Sequence, residues 1–562
     1  MVTEVSQTFP DTSTRAARRR SKDGNRLWTG ATALISLLLL APIFSVFVAA
    51  SGDGQGNWGH LVDTVLPRYV ANTLILMLGV GGVTLIFGIS SAWAVTRYDF
   101  PGRRFFEWAL LLPAAIPAYL IAYTYTDFLE YAGPVQGLLR DIFGWQSARD
   151  YWFPEIRSMG GAMLVIGAVL YPYVYMMTRT AFLLTPGSLF EAGLLARRNL
   201  LFGIALPLAR PAIIAGLALV MMETISDFGT VEYFAVRTLT LGIFNVWLGM
   251  NDLTAAAQIA CFAFLFILAL LAIELHARSR RRYSDTSKKA VPLKRLRARG
   301  VSLAGCLIAC IAPIAVGFLL PVGVLLSFIL RGYSLDVTPQ VVDAGVNSLI
   351  VSGGTALLVI GVAGFLVFVS TYRGGPMLKR LAALSAVGYA FPGTILAIGV
   401  VTAAGALDSG AVAVLRDWLG FDFRGWFSSG VGLVLFACLV RFQAVGYGAI
   451  SAGIQRLPPN LMNASRVLGH GFGASLRKVV LPLMRGSILA GGLLVFVDVM
   501  KELPMTLLLR PFNFETLATY VYQYAKDELL EQAAMPALMI VIAGIGPVML
   551  MNAALRRLTR GS

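Results

Sequence analysis

Histidine and cysteine are nearly missing from this 562-residue chain, with three of the first and four of the second. His60, His276 and His470 lie in separate hydrophilic connections, which leaves little material for histidine-based acid–base chemistry. Cys261, Cys306, Cys310 and Cys438 all fall inside apolar runs without metal-ligand spacing, so they read as small buried thiols, with no zinc site and no disulfide framework. No GxxxxGK[ST] phosphate loop occurs, and DFG at Asp227 to Gly229 lacks the accompanying Gly-rich and catalytic-loop motifs of a kinase. Charge is scarce as well, at 14% of residues, where a soluble domain carries roughly 25%. These absences argue against catalysis by this chain.

What is abundant is apolar sequence, 57% of the residues, arranged in runs long enough to cross a hydrocarbon core about 30 Å thick. The chain reads as an all-α polytopic membrane protein with about 12 spans, six per half. In the first half they are expected near 27–50, 72–96, 106–128, 159–183, 209–228 and 254–275. The second half adds 302–330, 347–371, 380–406, 429–451, 486–503 and 532–555. Most of the 46 Lys and Arg residues gather in connections on the side of the N-terminus, and most of the 30 acidic residues on the other. The positive-inside pattern therefore predicts both termini in the cytoplasm, and it accounts for the net charge of +16 without nucleic acid binding. The lipid bilayer is the expected environment. Although LLLLAPIFSVFVAAS ends like a signal peptide, the long preceding segment and the matching Pro42 and Pro321 favour a retained first span.

The chain is duplicated. LPLAR at 206–210 returns as LPLMR at 481–485, and ANTLI at 71–75 returns as VNSLI at 346–350, both after 275 residues. The expected organisation is a basic cytoplasmic tail over 1–26 and a first repeat over 27–275, with its core at 68–275. A basic linker over 276–301 then leads to a second repeat over 302–562, with its core at 343–555. Six spans per half return the chain to its starting side, so the repeats are parallel and a solute path is expected near their pseudo-two-fold axis.

One connection in each half is long and keeps helical character. It reads EAGLLARRNLLFGIALP from Glu191 to Pro207 and NASRVLGHGFGASLRKVVLP from Asn463 to Pro482. Small residues allow a short helix to seat closely on a partner, Gly permits a turn, and Pro starts the next span. These segments resemble the coupling loop of ATP-binding-cassette importer permeases, whose pattern is Glu-Ala-Ala, a Gly after three more residues, and a terminal Leu-Pro. The resemblance implies coupling residues Glu191, Ala192, Gly193, Leu206 and Pro207, and Asn463, Ala464, Ser465, Gly469, Leu481 and Pro482. Asn463 replaces the glutamate in the second copy, while the first is three residues shorter and lacks the later Gly, so its loop is expected at a different angle.

The segments after each fifth span, ETISDFGTVEYF and DVMKELPMTLLLRPFNFETL, narrow the resemblance to fused, two-domain ferric-iron importer permeases. That family implies a type I importer fold, a periplasmic ferric-binding protein, and two copies of a cytoplasmic ATPase. It also implies that ATP and Mg act in the ATPase subunits, with no cofactor and no stable metal site in this chain. Thiamine, phosphonate, sulfate or polyamine importers share the pattern, and a proton-coupled secondary transporter is the alternative outside the class.

The carboxylates offer chemistry of their own. Glu223 and Asp227 are four residues apart, as are Asp498 and Glu502, so a continuous helix would place each pair on one face. Carboxylates in a span cost roughly 2.5–3.5 kcal/mol each, so they turn to a polar cavity or a partner. An acidic quartet would suit a hard cation, which prefers oxygen ligands. Helix capping and pairing across the halves are the other uses open to these groups, and Lys501 could neutralise Asp498 or Glu502. Tyr123, Tyr125, Tyr171, Tyr173 and Tyr175 could add phenol oxygens or simply pack. Arg237 and Arg510 are candidates either for binding-protein docking or for local salt bridges.

Overall fold

The computed structural model describes residues 12–52, 57–279, 295–333, 338–419, 430–458 and 460–560. Eleven long helices dominate it: α1 (Thr12–Ala50), α2 (Leu66–Arg97), α3 (Met159–Leu184), α4 (Leu206–Ser226) and α5 (Leu253–Ser279). There follow α6 (Val301–Leu330), α7 (Pro339–Tyr372), α8 (Gly393–Leu419), α9 (Val431–Gln455), α10 (Leu481–Met500) and α11 (Ala534–Arg560). Among the described residues ten helices are long and apolar enough to cross a membrane, or eleven with one bent pair; the expected 106–128 span is that bent pair, and the expected 532–555 span is represented by the shorter apolar helix Ala534–Gly546.

Proline explains the broken ones. The span expected at 106–128 divides into Arg103–Ala109, a 3-10 turn at Leu112–Ala115 and Ala118–Leu129, with a bend of 92°. Ile116, before Pro117, is extended at φ −101° and ψ 130°, because a proline ring disfavours helical backbone in the residue it follows. The span expected at 380–406 repeats this: Pro376–Leu384, a turn at Val387–Ala390, an extended Phe391 before Pro392, and then α8. Two further features concern the ends of the repeats. The helix of α1 reaches back to Thr12, so part of the expected tail is helical, and Leu296–Arg297 of the expected linker pairs in parallel with Tyr98–Asp99. Residues 280–294 of the linker lie outside the described residues, as do 1–11 of the tail.

Helices α2, α3 and α4 pack on one another in the first half, and α7, α9 and α10 do so in the second. The first helix of each repeat crosses over. α1 lies against α8 of the second half and α5 of its own, while α6 lies against α2 of the first half and α11 of its own. Gly399 permits the first crossing, since a Cβ there would sit 1.9 Å from the Pro42 carbonyl oxygen. The two largest clusters of buried side chains consequently draw on both halves, which makes the duplicated chain one packed body. Cys306, Cys310 and Cys438 are buried as expected, whereas Cys261 is partly exposed.

Candidate translocation site

Helices α4 and α10 both end where their second carboxylate begins, so neither pair shares a helix face. Asp227 is extended, and its carboxylate accepts from the Thr230 amide at 3.0 Å, the Val231 amide at 3.2 Å and the Thr230 hydroxyl at 3.0 Å. Glu502 accepts from the Met505 amide at 3.0 Å, the Thr506 amide at 3.0 Å and the Thr506 hydroxyl at 2.9 Å. Each carboxylate thus caps a short helix, Gly229–Tyr233 or Pro504–Leu509, satisfying amides that have no intrahelical partner.

All four carboxylates nevertheless meet. Glu223, Asp227, Asp498 and Glu502 line one central cavity of about 140 Å³ between the halves, together with Lys501, Arg441, Tyr119, Tyr173 and Tyr389. Lys501 chooses Asp498, with 3.0 Å between Nζ and Oδ1, and also donates to the Ala114 carbonyl at 3.5 Å. Arg441 Nη1 lies 3.4 Å from Glu502 Oε1, and both side chains are buried. Tyr389 stands beside Glu223 and Tyr173. Two of the four carboxylates are therefore paired with cations, and the cavity keeps a moderate excess of oxygen donors with negative charge. Among the described residues no three His, Cys, Asp or Glu side chains converge as a metal site.

The repeated Asn-Thr and Asn-Ser pairs hold this geometry. Asn72 Nδ2 donates to the Arg237 carbonyl at 3.0 Å, and Asn347 Nδ2 to the Glu515 carbonyl at 2.9 Å. Thr73 Oγ1 accepts from the Leu239 amide at 3.0 Å, and Ser348 Oγ from the Leu517 amide at 2.7 Å. ANTLI and VNSLI thereby tie the segment beyond each carboxylate to the first core helix of its own half. Arg510 makes the local salt bridge open to it, with Glu515, while Arg237 contributes a backbone acceptor.

Beyond the cavity, on the face away from the long loops, aromatic and charged groups bind the halves together. Tyr522 donates to Glu232, Lys526 Nζ lies 3.6 Å from Glu232, and Arg157 reaches Glu130 at 2.6 Å and Glu528 at 3.6 Å. Tyr123 packs edge-on against Tyr233 at 4.5 Å. Tyr171 is buried elsewhere among apolar side chains, Tyr175 donates to the Glu107 carbonyl at 3.2 Å, and Tyr125 donates to the Val316 carbonyl at 2.9 Å.

On the opposite face the two long loops adopt one design. Glu191 and Ala192 are exposed on the helix Gly187–Leu195, and Gly193 is buried, where a Cβ would meet Ile204 at 1.9 Å. Asn463 and Ala464 are exposed on Leu461–Val467, and Ser465 is buried, donating to Ser475 Oγ at 2.8 Å. The Arg198 amide donates to Gly193 O at 2.9 Å, and the His470 amide to Ser465 O at 3.2 Å. That bond closes a left-handed helix end, formed by Gly469 at φ +85° in one loop and by Arg197 at φ +52° in the other. The missing glycine therefore leaves the turn in place, while the second loop alone adds a short helix, Phe472–Ser475, before its last turn. Leu206 and Leu481 are half-buried, and Pro207 and Pro482 start α4 and α10.

The long apolar run around Arg441 offered a signal that was not used: an ionisable residue inside a span marks a functional or paired site. Tyr389 and Tyr119 carried no such signal, because tyrosine is common at membrane interfaces.

Comparison with known proteins agrees with this architecture. The family described as binding-protein-dependent transport system inner membrane component matches residues 360–561. An Fe(3+)-transport system permease of Haemophilus influenzae is 24% identical over 530 residues, covering 92% of this chain and 96% of that protein. A ferric transport system permease of Actinobacillus pleuropneumoniae is 22% identical over 553 residues, covering 91% and 76%. A sulfate transport system permease of Escherichia coli is 26% identical over 267 residues, covering 45% of this chain and 87% of its own length. Duplicated helical halves, a central polar cavity, the family match in the second repeat and this whole-length similarity together support a multi-pass inner-membrane permease of the binding-protein-dependent ABC importer class, with both permease repeats in one polypeptide.

Proposed function

We propose that this permease forms the translocation path for ferric iron, delivered by a periplasmic ferric-binding protein and driven by two copies of a cytoplasmic ATPase. The observation that carries the reading is that four carboxylates from both halves line one cavity without forming a fixed metal site among the described residues, since hard cations in transit are handled by oxygen donors. The similarity to ferric permeases over nearly the whole chain supports the same substrate. Glu223 and Asp498 act as transient donors on the path, while Asp227 and Glu502 shape it by capping its walls. The helices Gly187–Leu195 and Leu461–Val467 dock the ATPase subunits, placing that face and both termini in the cytoplasm. ATP and Mg belong to those partners, and this chain contributes no hydrolytic site and no resident cofactor. Alternating access then requires the Glu232–Tyr522 and Arg157–Glu528 contacts across the outer face to open.

A second reading, transport of an oxyanion such as sulfate, is favoured by Lys501 and Arg441 in the same cavity and by the sulfate relative. ATP-dependent uptake into proteoliposomes carrying the permease, its ATPase and the binding protein separates the two. Iron uptake should fall at least about tenfold in Glu223→Gln with Asp498→Asn, in line with loss of charge-assisted contacts. Unchanged iron uptake in that variant would remove the quartet from the path, and uptake driven by a proton gradient without ATP would remove the importer reading.

A further inference from the structure

A second cavity, of about 980 Å³, opens in the first half on the face of the long loops and shares no lining residue with the central one. Five arginines line it, Arg97, Arg103, Arg104, Arg295 and Arg297, against a single carboxylate, Asp99. Tertiary structure assembles this charge. Arg295 and Arg297 are brought to the end of α2 by the parallel pairing of Leu296–Arg297 with Tyr98–Asp99, extended by the Ala298 amide donating to Asp99 O at 3.0 Å. Arg103 is held in place by Asp99 at 3.3 Å and by Glu107, which also binds Arg179 at 3.1 Å. Burial lowers the pKa of Arg295 from its ordinary value, and the Arg103 charge acts in the same direction. A bound anion would act in the same direction as Glu107 and Asp99, which already favour the charged form.

Apolar side chains, Trp93, Phe100, Phe182 and Phe190, complete the lining. The second half does not repeat these arginines position for position. Positions 275 residues after Arg97, Arg103 and Arg179 hold Tyr372, Leu378 and Ile454, and only Lys379 follows Arg104. Duplication alone therefore does not account for the cluster. Guanidinium groups present paired N–H donors that match phosphate oxygens, and several together form a strong site.

We propose that this cavity binds a phosphate ester, supplied either by an anionic lipid headgroup or by a soluble phosphorylated compound. Phe190 belongs to the helix Gly187–Leu195, so an occupant touches the base of the first long loop.

The test uses the full-length chain in nanodiscs, with inorganic pyrophosphate as the soluble probe and phosphatidylglycerol as the lipid probe. Binding should weaken about tenfold or more for at least one probe in Arg104→Gln with Arg297→Gln, as expected when charge-assisted contacts are lost. Loss of pyrophosphate binding identifies a soluble source, and loss of selective phosphatidylglycerol retention from mixed phosphatidylcholine discs identifies a lipid source. Asp99→Asn, which removes the one lining carboxylate, should tighten the probe that binds by a few-fold. Wild-type binding of both probes in the arginine variant, or no binding of either to the native chain, would overturn the proposal. Were the arginine variant not monodisperse, Asp99→Asn would decide: unchanged or weaker binding there also overturns it.

Discussion

The two halves place the same backbone around the same axis and charge it differently. Asp227 and Glu502 stand 275 residues apart and cap equivalent helices through equivalent amides. Only Glu502 also faces a buried arginine, Arg441, whose counterpart position in the first half is Ile166. The first half instead buries Arg103, Glu107 and Arg179 near the long-loop face, where the second half has Leu378, Ala382 and Ile454. Hydrogen bonds to the backbone are common to both copies because they hold the chain breaks in place, and any loss would leave unpaired amides in a low-dielectric interior. Side-chain charges are free to differ, since each cluster needs only to be balanced internally. A two-fold fold thus carries two unlike electrostatic interiors.

The largest test of this contrast is Glu502→Ala beside Asp227→Ala. Removing Glu502 leaves Arg441 buried without its partner and should cost about 3–5 kcal/mol, whereas removing Asp227 forfeits a cap worth about 0.5–2 kcal/mol. Thermal unfolding of the purified variants would measure both, and equal losses would mean that the Arg441 pair adds nothing. Glu107→Ala comes next. Arg179 loses its partner while Arg103 keeps Asp99, so a loss of about 3 kcal/mol is expected, with faster proteolysis in the first half than in the second. The smallest effect concerns the loop turns. Arg197→Gly should stabilise by up to about 1 kcal/mol and Gly469→Ala destabilise by about the same, because a side chain is strained at positive φ. Shifts of the same sign in the two unfolding temperatures would show that the turns are not equivalent.

Much of the membrane architecture is legible in the sequence because it depends on one-dimensional patterns. Apolar length sets the spans, the 275-residue offset exposes the repeat, and carboxylates inside apolar sequence stand out by their cost of insertion. Span continuity was less legible, since the break before Pro117 and Pro392 depends on how the preceding residue and its turn pack. The use of Asp227 and Glu502 was also hidden. Spacing by four suggests a shared helix face, and only the position of the helix end turns the second carboxylate of each pair into a cap.

The left-handed turn at Arg197 illustrates the same limit. Local propensity favours glycine there, yet the hydrogen bond from the Arg198 amide to Gly193 O holds an arginine in that conformation. By itself the sequence determined the membrane class, the duplication and the residues that would be costly to bury. Tertiary structure decided which of them meet: it exchanged α1 and α6 between the halves, joined carboxylates hundreds of residues apart in one cavity, and brought Arg295 and Arg297 beside Arg97. Such contacts arise from packing helices across a long chain separation, where no local period or spacing records the partner.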